Sequence, residues 1–231
     1  MAGNGFEIYL SPTYFIDSDH KTIMNLAEEI AGDVDESIEK AIRLFYAVRD
    51  QIRYDPYGIE KNPVYFKASS TLERKSGFCV AKAILLAALA RSVKIPSRLG
   101  FADVRNHLTT KRLKTLMKTD VFVFHGYTEL YLEGKWVKAT PTFNLDLCDK
   151  FGVSPLDFDG KTDCLLHEFD QEGNRHMEYL KDHGHYADLP VEKLLASMKE
   201  AYPMFFEESV EALSGDFEKE AIADRKAPST F

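Results

Sequence analysis

Apolar residues recur along the first part of the chain at helical spacing and further on at strand spacing. Ile23, Leu26, Ala27 and Ile30 lie three and four apart, which puts them on one face of a helix. They predict a helix over residues 20–30, with Asp17 or Ser18 as its cap. A second stripe, Ile38, Ala41, Ile42, Phe45, Val48 and Ile52, predicts a helix over 37–52 that ends at the turn-rich "RYDPYG". Residues 63–76 read as loop or short helix. A third helix begins at or just before Cys79, with Ala81, Ile84, Leu85, Ala88 and Leu89 on its core face. Pro96, in "KIPSR", stops it.

The period then changes from that of a helix to that of a strand. "PSRLGFADV" reads as a strand, and "DVFVFHGYTELYLEGKWVKATPTF" alternates as two strands joined by an "EGK" turn at 133–135. A short extended start is expected at 6–10. Beyond Asn144 the chain is acidic and irregular: "DFDGKTDC" resembles a turn and "EFDQEGNRHMEYL" a hairpin or loop. A last helix is expected over 190–202, and residues 209–231 read as a polar, frayed tail. Helices first and antiparallel strands afterwards give an α+β class.

Composition narrows the partners. The 231 residues suffice for one sizeable core, and 45% hydrophobic with 29% charged residues is globular usage. A net charge of -8 argues against general affinity for nucleic acid or anionic membrane, which rests on clustered positive charge. The start has no basic region followed by a long apolar run, and no stretch reaches the roughly 18 apolar residues of a membrane span. A soluble, cytoplasmic protein is the expectation. Cys79, Cys148 and Cys164 are odd in number and lack CxxC spacing, so they read as free thiols.

A metal is considered and set aside. His167, His176, His183 and His185 lie near Asp163, Cys164, Glu168, Asp170 and Asp182, enough nitrogen and oxygen for an ion. Their spacings match no familiar ligand pattern, and "DFDGKTD" lacks the length of a calcium loop. Solvated loop histidines are expected, with no metal and no cofactor.

The candidate chemistry is in the middle of the chain. A thiolate, not a thiol, is the nucleophile. Cys79 at a helix start would sit at the positive end of the macrodipole, which favours the thiolate, and Gly77 lets backbone and substrate approach. His125 lies on the first hairpin strand, 46 residues downstream. A cysteine at a helix N-terminus facing a strand histidine is a workable acyl-transfer pair.

Three stretches carry a resemblance. "GFCVAKAILLAALARSVKIPSRLGF" is similar to the Gly-x-Cys, apolar helix and Gly-Ile-Pro-Ala-Arg-like strand entry of the transglutaminase-like core, a relative of papain-like cysteine proteases. "FHGYTELYLEGKWVKATPT" resembles that family's His, aromatic, Glu, Gly-x-Trp and acidic-Pro-Thr signature, and "LFYAVRDQIRYDP" the helix before the core. The likeness runs over about residues 41–144. It implies Cys79 as nucleophile and His125 as general base. The third member, an Asp in the family, falls on Thr140, whose hydroxyl carries no charge; Asn144 and Asp146 stand just beyond as alternatives.

The implied fold has N-terminal helices and a nucleophile-bearing helix packed on an antiparallel sheet. Residues 1–149 would form the core and 150–231 an extension packed on it. The implied reaction is attack on an amide through a Cys79 thioester, ending in hydrolysis or transfer to an amine, with the Cys79 N–H as one oxyanion donor. The substrate would be a peptide or protein amide, or a small amide. The alternative is a degenerate relative that binds a peptide or protein partner. Trp136 and Tyr131 read as core residues of the sheet, Glu129 as an outward charge or structural partner, and Arg98 as a buried salt-bridge former.

Overall fold

A computed structural model describes residues 5–58, 62–166, 168–206 and 215–226. Helices α1 (Glu7–Leu10), α2 (Lys21–Ala31) and α3 (Ser37–Gln51) lead to a two-residue strand β1 (Arg53–Tyr54). A 3-10 turn (Pro63–Phe66) and α4 (Ala68–Arg74) follow, and β2 (Ser76–Gly77) pairs in parallel with β1 just before α5 (Cys79–Ser92). Then come β3 (Ser97–Asn106), α6 (Lys111–Met117), β4 (Val121–Leu132), β5 (Lys135–Ala139) and α7 (Leu145–Phe151). Strand β6 (Met177–Tyr186), α8 (Val191–Ala201), a 3-10 turn (Pro203–Phe206) and α9 (Phe217–Lys226) complete the described chain. The main sheet is antiparallel in the order β5-β4-β3-β6.

Helix α5 is the centre of the molecule. Every residue from Cys79 to Arg91 is buried, so the expected one-sided stripe is in fact a helix enclosed on all sides, as a helix apolar all round must be. Helices α2, α3 and α4 pack on it from one side, and β3 and β4 from the other. Its two long cations are committed to carbonyls. Lys82 Nζ donates to Arg49 O (2.9 Å) and Ile52 O (2.5 Å), satisfying carbonyls at the end of α3. Arg91 donates to Ser11 O, Ser97 O and Ala187 O at 2.7, 2.9 and 2.6 Å, tying three distant stretches to one helix end.

The sheet hairpin turns through Glu133 (φ 46°) and Gly134 (φ 89°), a two-residue turn with both residues left-handed, which matches strand twist. Between β3 and β4, Arg98 and Glu129 face each other in register and form a buried ion pair, and the Arg98 guanidinium lies 4.1 Å over the Trp136 ring. Trp136 and Tyr131 are half-buried instead of core. They are covered by Phe6 and Tyr9, with ring centroids 4.3 Å (Phe6 to Tyr131) and 5.1 Å (Tyr9 to Trp136) apart. That cover explains why residues 7–10 are a helix and not extended: two rings three residues apart reach the same face only when the chain coils.

Other expectations are corrected similarly. Neither Asp17 nor Ser18 caps α2, where His20 holds the cap position without a side-chain bond. Asp17 instead accepts from the Ser69 N–H (3.1 Å) and hydroxyl (2.5 Å) at the start of α4. Helix α6, to which the sequence pattern assigned nothing, starts at Thr110, whose Oγ1 accepts from Leu113 N–H at 3.2 Å. Residues 177–186 are a strand, added to β3 as the fourth member of the sheet. The polar tail contains α9, because Phe217 is buried against Tyr54 and Phe151, with centroids 5.5 and 5.4 Å away. The rest of the expected tail, 209–214 and 227–231, lies outside the described residues, as does His167.

No described helix is long and apolar enough to cross a membrane, and no three metal-ligating side chains converge among the described residues. His176 is buried and His183 pairs with Asp103, so these two are not solvated loop histidines. Asp159 accepts from the Lys161 and Thr162 N–H groups at 2.8 Å, an ordinary turn.

Burial pushes the Lys82 ammonium down to about 7. Above that value, and up to the unfolded 10.5, the unfolded chain binds more protons, so wild-type stability rises with pH through this window. Lys82→Met removes the titration and leaves two carbonyls unpaired. We expect urea unfolding of this variant to show a flattened pH dependence from 7 to 10.5, and a loss at pH 9 of about 2–6 kcal/mol, from roughly 1–3 for each of the two unpaired carbonyls.

Candidate active site

Cys79 is the first residue of α5, entered from an extended Phe78 (ψ -177°). Strand β4 runs past this helix end so closely that only glycine fits. A Cβ on Gly126 would lie 2.9 Å from Val80 Cα and 3.1 Å from Val80 Cγ2. The neighbour of Gly126 is His125. The structure therefore brings this stretch of β4 against the start of the cysteine helix through Gly126, whose N–H favours the Cys79 anion. Thr128 Oγ1 donates to Ala83 O on the same face, and alternation turns the His125 side chain to the other face of the sheet. No hydrogen bond joins the imidazole to Cys79 among the described residues.

The electrostatics differ from the thiolate expected at a helix start. Burial pushes the Cys79 thiol up to about 11, although N–H groups of Gly126, Val80 and Cys79 all favour the anion. Burial also pushes the His125 imidazole down to about 4. A desolvated site disfavours both charged forms, and here it outweighs the helix start. At neutral pH Cys79 is a thiol and His125 a neutral imidazole. His125 is 5% exposed and its Nε2 has no hydrogen-bond partner.

A bulge re-aims β4 just before His125. Ala102 faces His125 and Val104 faces Phe122, so Val123 and Phe124 together oppose Asp103 alone. Phe124 takes φ 52°, a left-handed conformation rare for a bulky residue. The two N–H groups that the bulge takes from the ladder are satisfied by side chains. Asp103 Oδ1 accepts from Phe124 N–H (3.0 Å), and the Tyr202 oxygen accepts from Val123 N–H (2.5 Å) while its hydroxyl donates to Val121 O (2.8 Å). His183 Nε2 lies 2.7 Å from the same Asp103 oxygen, and its ring stacks on Phe124 at 4.2 Å. Bulges of this kind steer side chains at active sites. Sequence patterning overlooked these groups. The available signal was Asp103 in the middle of "LGFADV", because aspartate is depleted in strands.

Of the candidates for the third member, Thr140 is buried with its Oγ1 unpartnered. It follows Ala139, which pairs with Thr128 and packs into the α5 side of the sheet. Alternation thus puts Thr140 on the opposite face of the sheet, the face that also takes His125 on β4. Asn144 is not brought to His125: its Oδ1 accepts from Tyr54 N–H at 3.2 Å. Asp146 is exposed in the first turn of α7. No carboxylate hydrogen-bonds the imidazole among the described residues.

The thiol opens into an apolar cavity of about 40 Å³. Phe78, Phe122 and Phe124 line it beside Cys79, Leu113 and Met117 come from α6, and Met198, Tyr202 and Phe205 from the α8 end of the chain.

Residues 24–141 match the model of the transglutaminase-like superfamily. Among solved structures, a candidate cysteine protease from Cytophaga hutchinsonii is similar at 22% identity and TM-score 0.45, over 58% of this chain and 40% of its own. A candidate protease from Parabacteroides distasonis shows 14% identity and TM-score 0.38, over 58% of this chain and 25% of its own. The arylamine N-acetyltransferase from Mycobacterium abscessus shows 12% identity and TM-score 0.45, over 83% of this chain and 73% of its own. The chain thus spans well under half the length of the first two. No curated protein matches it.

Two outcomes follow from the geometry. Gly126→Ala drives a methyl into helix backbone and should cost about 1–3 kcal/mol in urea unfolding. Iodoacetamide labelling of native Cys79, read by peptide mass spectrometry, should be slow at pH 7 and climb about tenfold per unit towards its value of about 11. Fast labelling near pH 7 would show a thiolate that the buried site does not hold.

Proposed function

This chain belongs to the transglutaminase-like superfamily, and on that premise we propose that it is a cysteine-dependent enzyme of acyl transfer, with Cys79 as nucleophile and His125 as general base. The observation that supports this reading is the seating of β4 at Gly126 against Val80, which puts the chain next to His125 at the nucleophile's helix end; the reaction requires the imidazole to turn from the far face of the sheet toward the sulfur.

The neutral pair sets the order of events. As sulfur attacks the substrate carbonyl carbon, the thiol proton passes to His125, so charge develops only in the transition state. The tetrahedral oxyanion lies at the start of α5, where backbone N–H groups have no helical partner and act as donors. Collapse breaks the carbon–nitrogen bond, and the imidazolium protonates the departing amine. A thioester remains on Cys79. Water or a second amine then attacks it, giving its proton to His125, and the thiol is regenerated by return of that proton. Hydrolysis and amine transfer share every step except the identity of the second nucleophile.

Thr140 stands where the family carries an aspartate. A hydroxyl orients an imidazole without stabilising its charge, which agrees with an imidazole held down at about 4. The same residue is the observation in favour of the second reading, a non-catalytic relative that binds a peptide in this cleft.

One experiment separates the two. Acylation by p-nitrophenyl acetate, followed by intact-mass spectrometry, should add one acetyl to Cys79 in wild type and none in Cys79→Ser. His125→Ala should slow it by about 10²–10⁴. The acylation rate should fall only below about pH 4, where His125 takes a proton and ceases to be a base. Thr140→Asp places a carboxylate near the ring, favours its charged form and should move that limb up by about one unit or more. An unmodified Cys79 would leave the binding protein as the answer.

A further inference from the structure

The cavity beside Cys79 has a chemical character that the acyl-transfer reading leaves open. We propose that it is the acyl pocket and that it selects a short, unbranched aliphatic acyl group of about four carbons. This inference rests on the reading of Cys79 as the nucleophile.

The walls are mostly apolar: Phe122 and Phe124 from β4, Leu113 and Met117 from α6, Met198 from α8, and Phe205 just after it. The lining carries two hydroxyls beside the Cys79 sulfur: that of Tyr202 is engaged, accepting from Val123 N–H and donating to Val121 O, and that of Tyr54 is the one neutral polar group facing the space. Among the described residues no Lys, Arg, Asp or Glu lines the cavity. A carboxylate entering here would lose its water and find a single neutral hydroxyl, that of Tyr54, in place of a charged partner, at a penalty of several kcal/mol. An alkyl chain meets no such penalty.

Size sets the length. A cavity of about 40 Å³ holds roughly three water-sized groups at about 10–15 Å³ each. With the carbonyl carbon at the sulfur, three further carbons make a butanoyl group. The two methionines are the adaptable part of the wall, since an unbranched thioether side chain repacks easily.

The backbone of the site also argues for a shaped pocket. Phe124 lines the cavity because the bulge turns it there, at φ 52°, and Asp103 and Tyr202 hold the bulge in place. Strain kept by dedicated hydrogen bonds is characteristic of a functional wall.

The test uses the full chain and p-nitrophenyl esters of graded length. In each case sulfur bonds to the carbonyl carbon, the carbon–oxygen bond to p-nitrophenolate breaks, and His125 takes the thiol proton. The acylation rate constant should rise about fourfold per methylene from acetyl through propanoyl to butanoyl, roughly 15-fold in all, and stop rising by hexanoyl. The hemisuccinyl ester, of butanoyl length but charged, should react no faster than acetyl. Met198→Trp should remove the gain with length, and Met198→Ala should move the optimum to a longer chain. A flat series, or hemisuccinyl as fast as butanoyl, overturns the pocket while leaving the nucleophile standing.

A second readout does not require chemistry. In Cys79→Ser protein carrying ¹³C-methyl methionine, butanamide should shift the Met117 and Met198 methyl signals saturably, and succinamate should not. Met24, 41% exposed on α2, serves as the control. Saturable shifts without acylation in wild type would retain the pocket and discard the nucleophile, whereas no shift with either ligand overturns the pocket.

Discussion

Helix α5 is surrounded by protein along its length, and a helix in that position can be reached from water only at an end. That constraint shapes everything near Cys79. Because the sides of α5 are buried, its cations need carbonyl partners, and Lys82 and Arg91 find them in α3, the N-terminal segment and the sheet. Because β4 must approach the helix start, a glycine stands at position 126. Because the helix end and the neighbouring strand are dry, the Cys79 thiol and the His125 imidazole are each kept neutral.

The neutral pair follows from the balance of two terms. Helix-end N–H groups favour a thiolate by an amount that is modest in the presence of solvent. Removal of water from the sulfur is larger and of opposite sign. A cysteine at a helix start is therefore an incomplete signal for an activated thiol, since the degree of burial decides which term wins. Burial depends on α6 and on the α8 end of the chain, both remote from Cys79 in sequence.

The parts of this arrangement that were legible in the sequence are those written in local periodicity. The stripes of α2 and α3, the hairpin with its Glu133–Gly134 turn, and the glycine-cysteine-helix motif are short-range patterns, and the structure follows them. Arg98 as a salt-bridge former and Glu129 as a structural partner are legible singly, while their pairing rests on the β3–β4 register. What could not be read depends on long-range contact. One-turn α1 exists for two rings it lays on Tyr131 and Trp136. Helix α9 is mostly polar and is held by Phe217. The bulge at Phe124 needs Asp103, Tyr202 and a register shift, none visible in a linear pattern. The candidates for a third member are told apart only by structure, since Asn144 and Asp146 look equally available until their partners and exposure are known.

Strand β6 and the residues of α8 that wall the cavity come from far beyond the matched stretch of 24–141. During synthesis the cysteine helix and the hairpin leave the ribosome long before Met198, Tyr202 and Phe205. Until those side chains arrive, Phe124 lacks the hydroxyl that satisfies the bulge beside it, and the thiol lacks the roof that keeps water away. A chain caught at that stage would carry a wetter and more acidic cysteine than the finished protein. The order in which the walls are made thus gives the nascent thiol a period of exposure that ends only when the last of the sheet and its covering helix have been added.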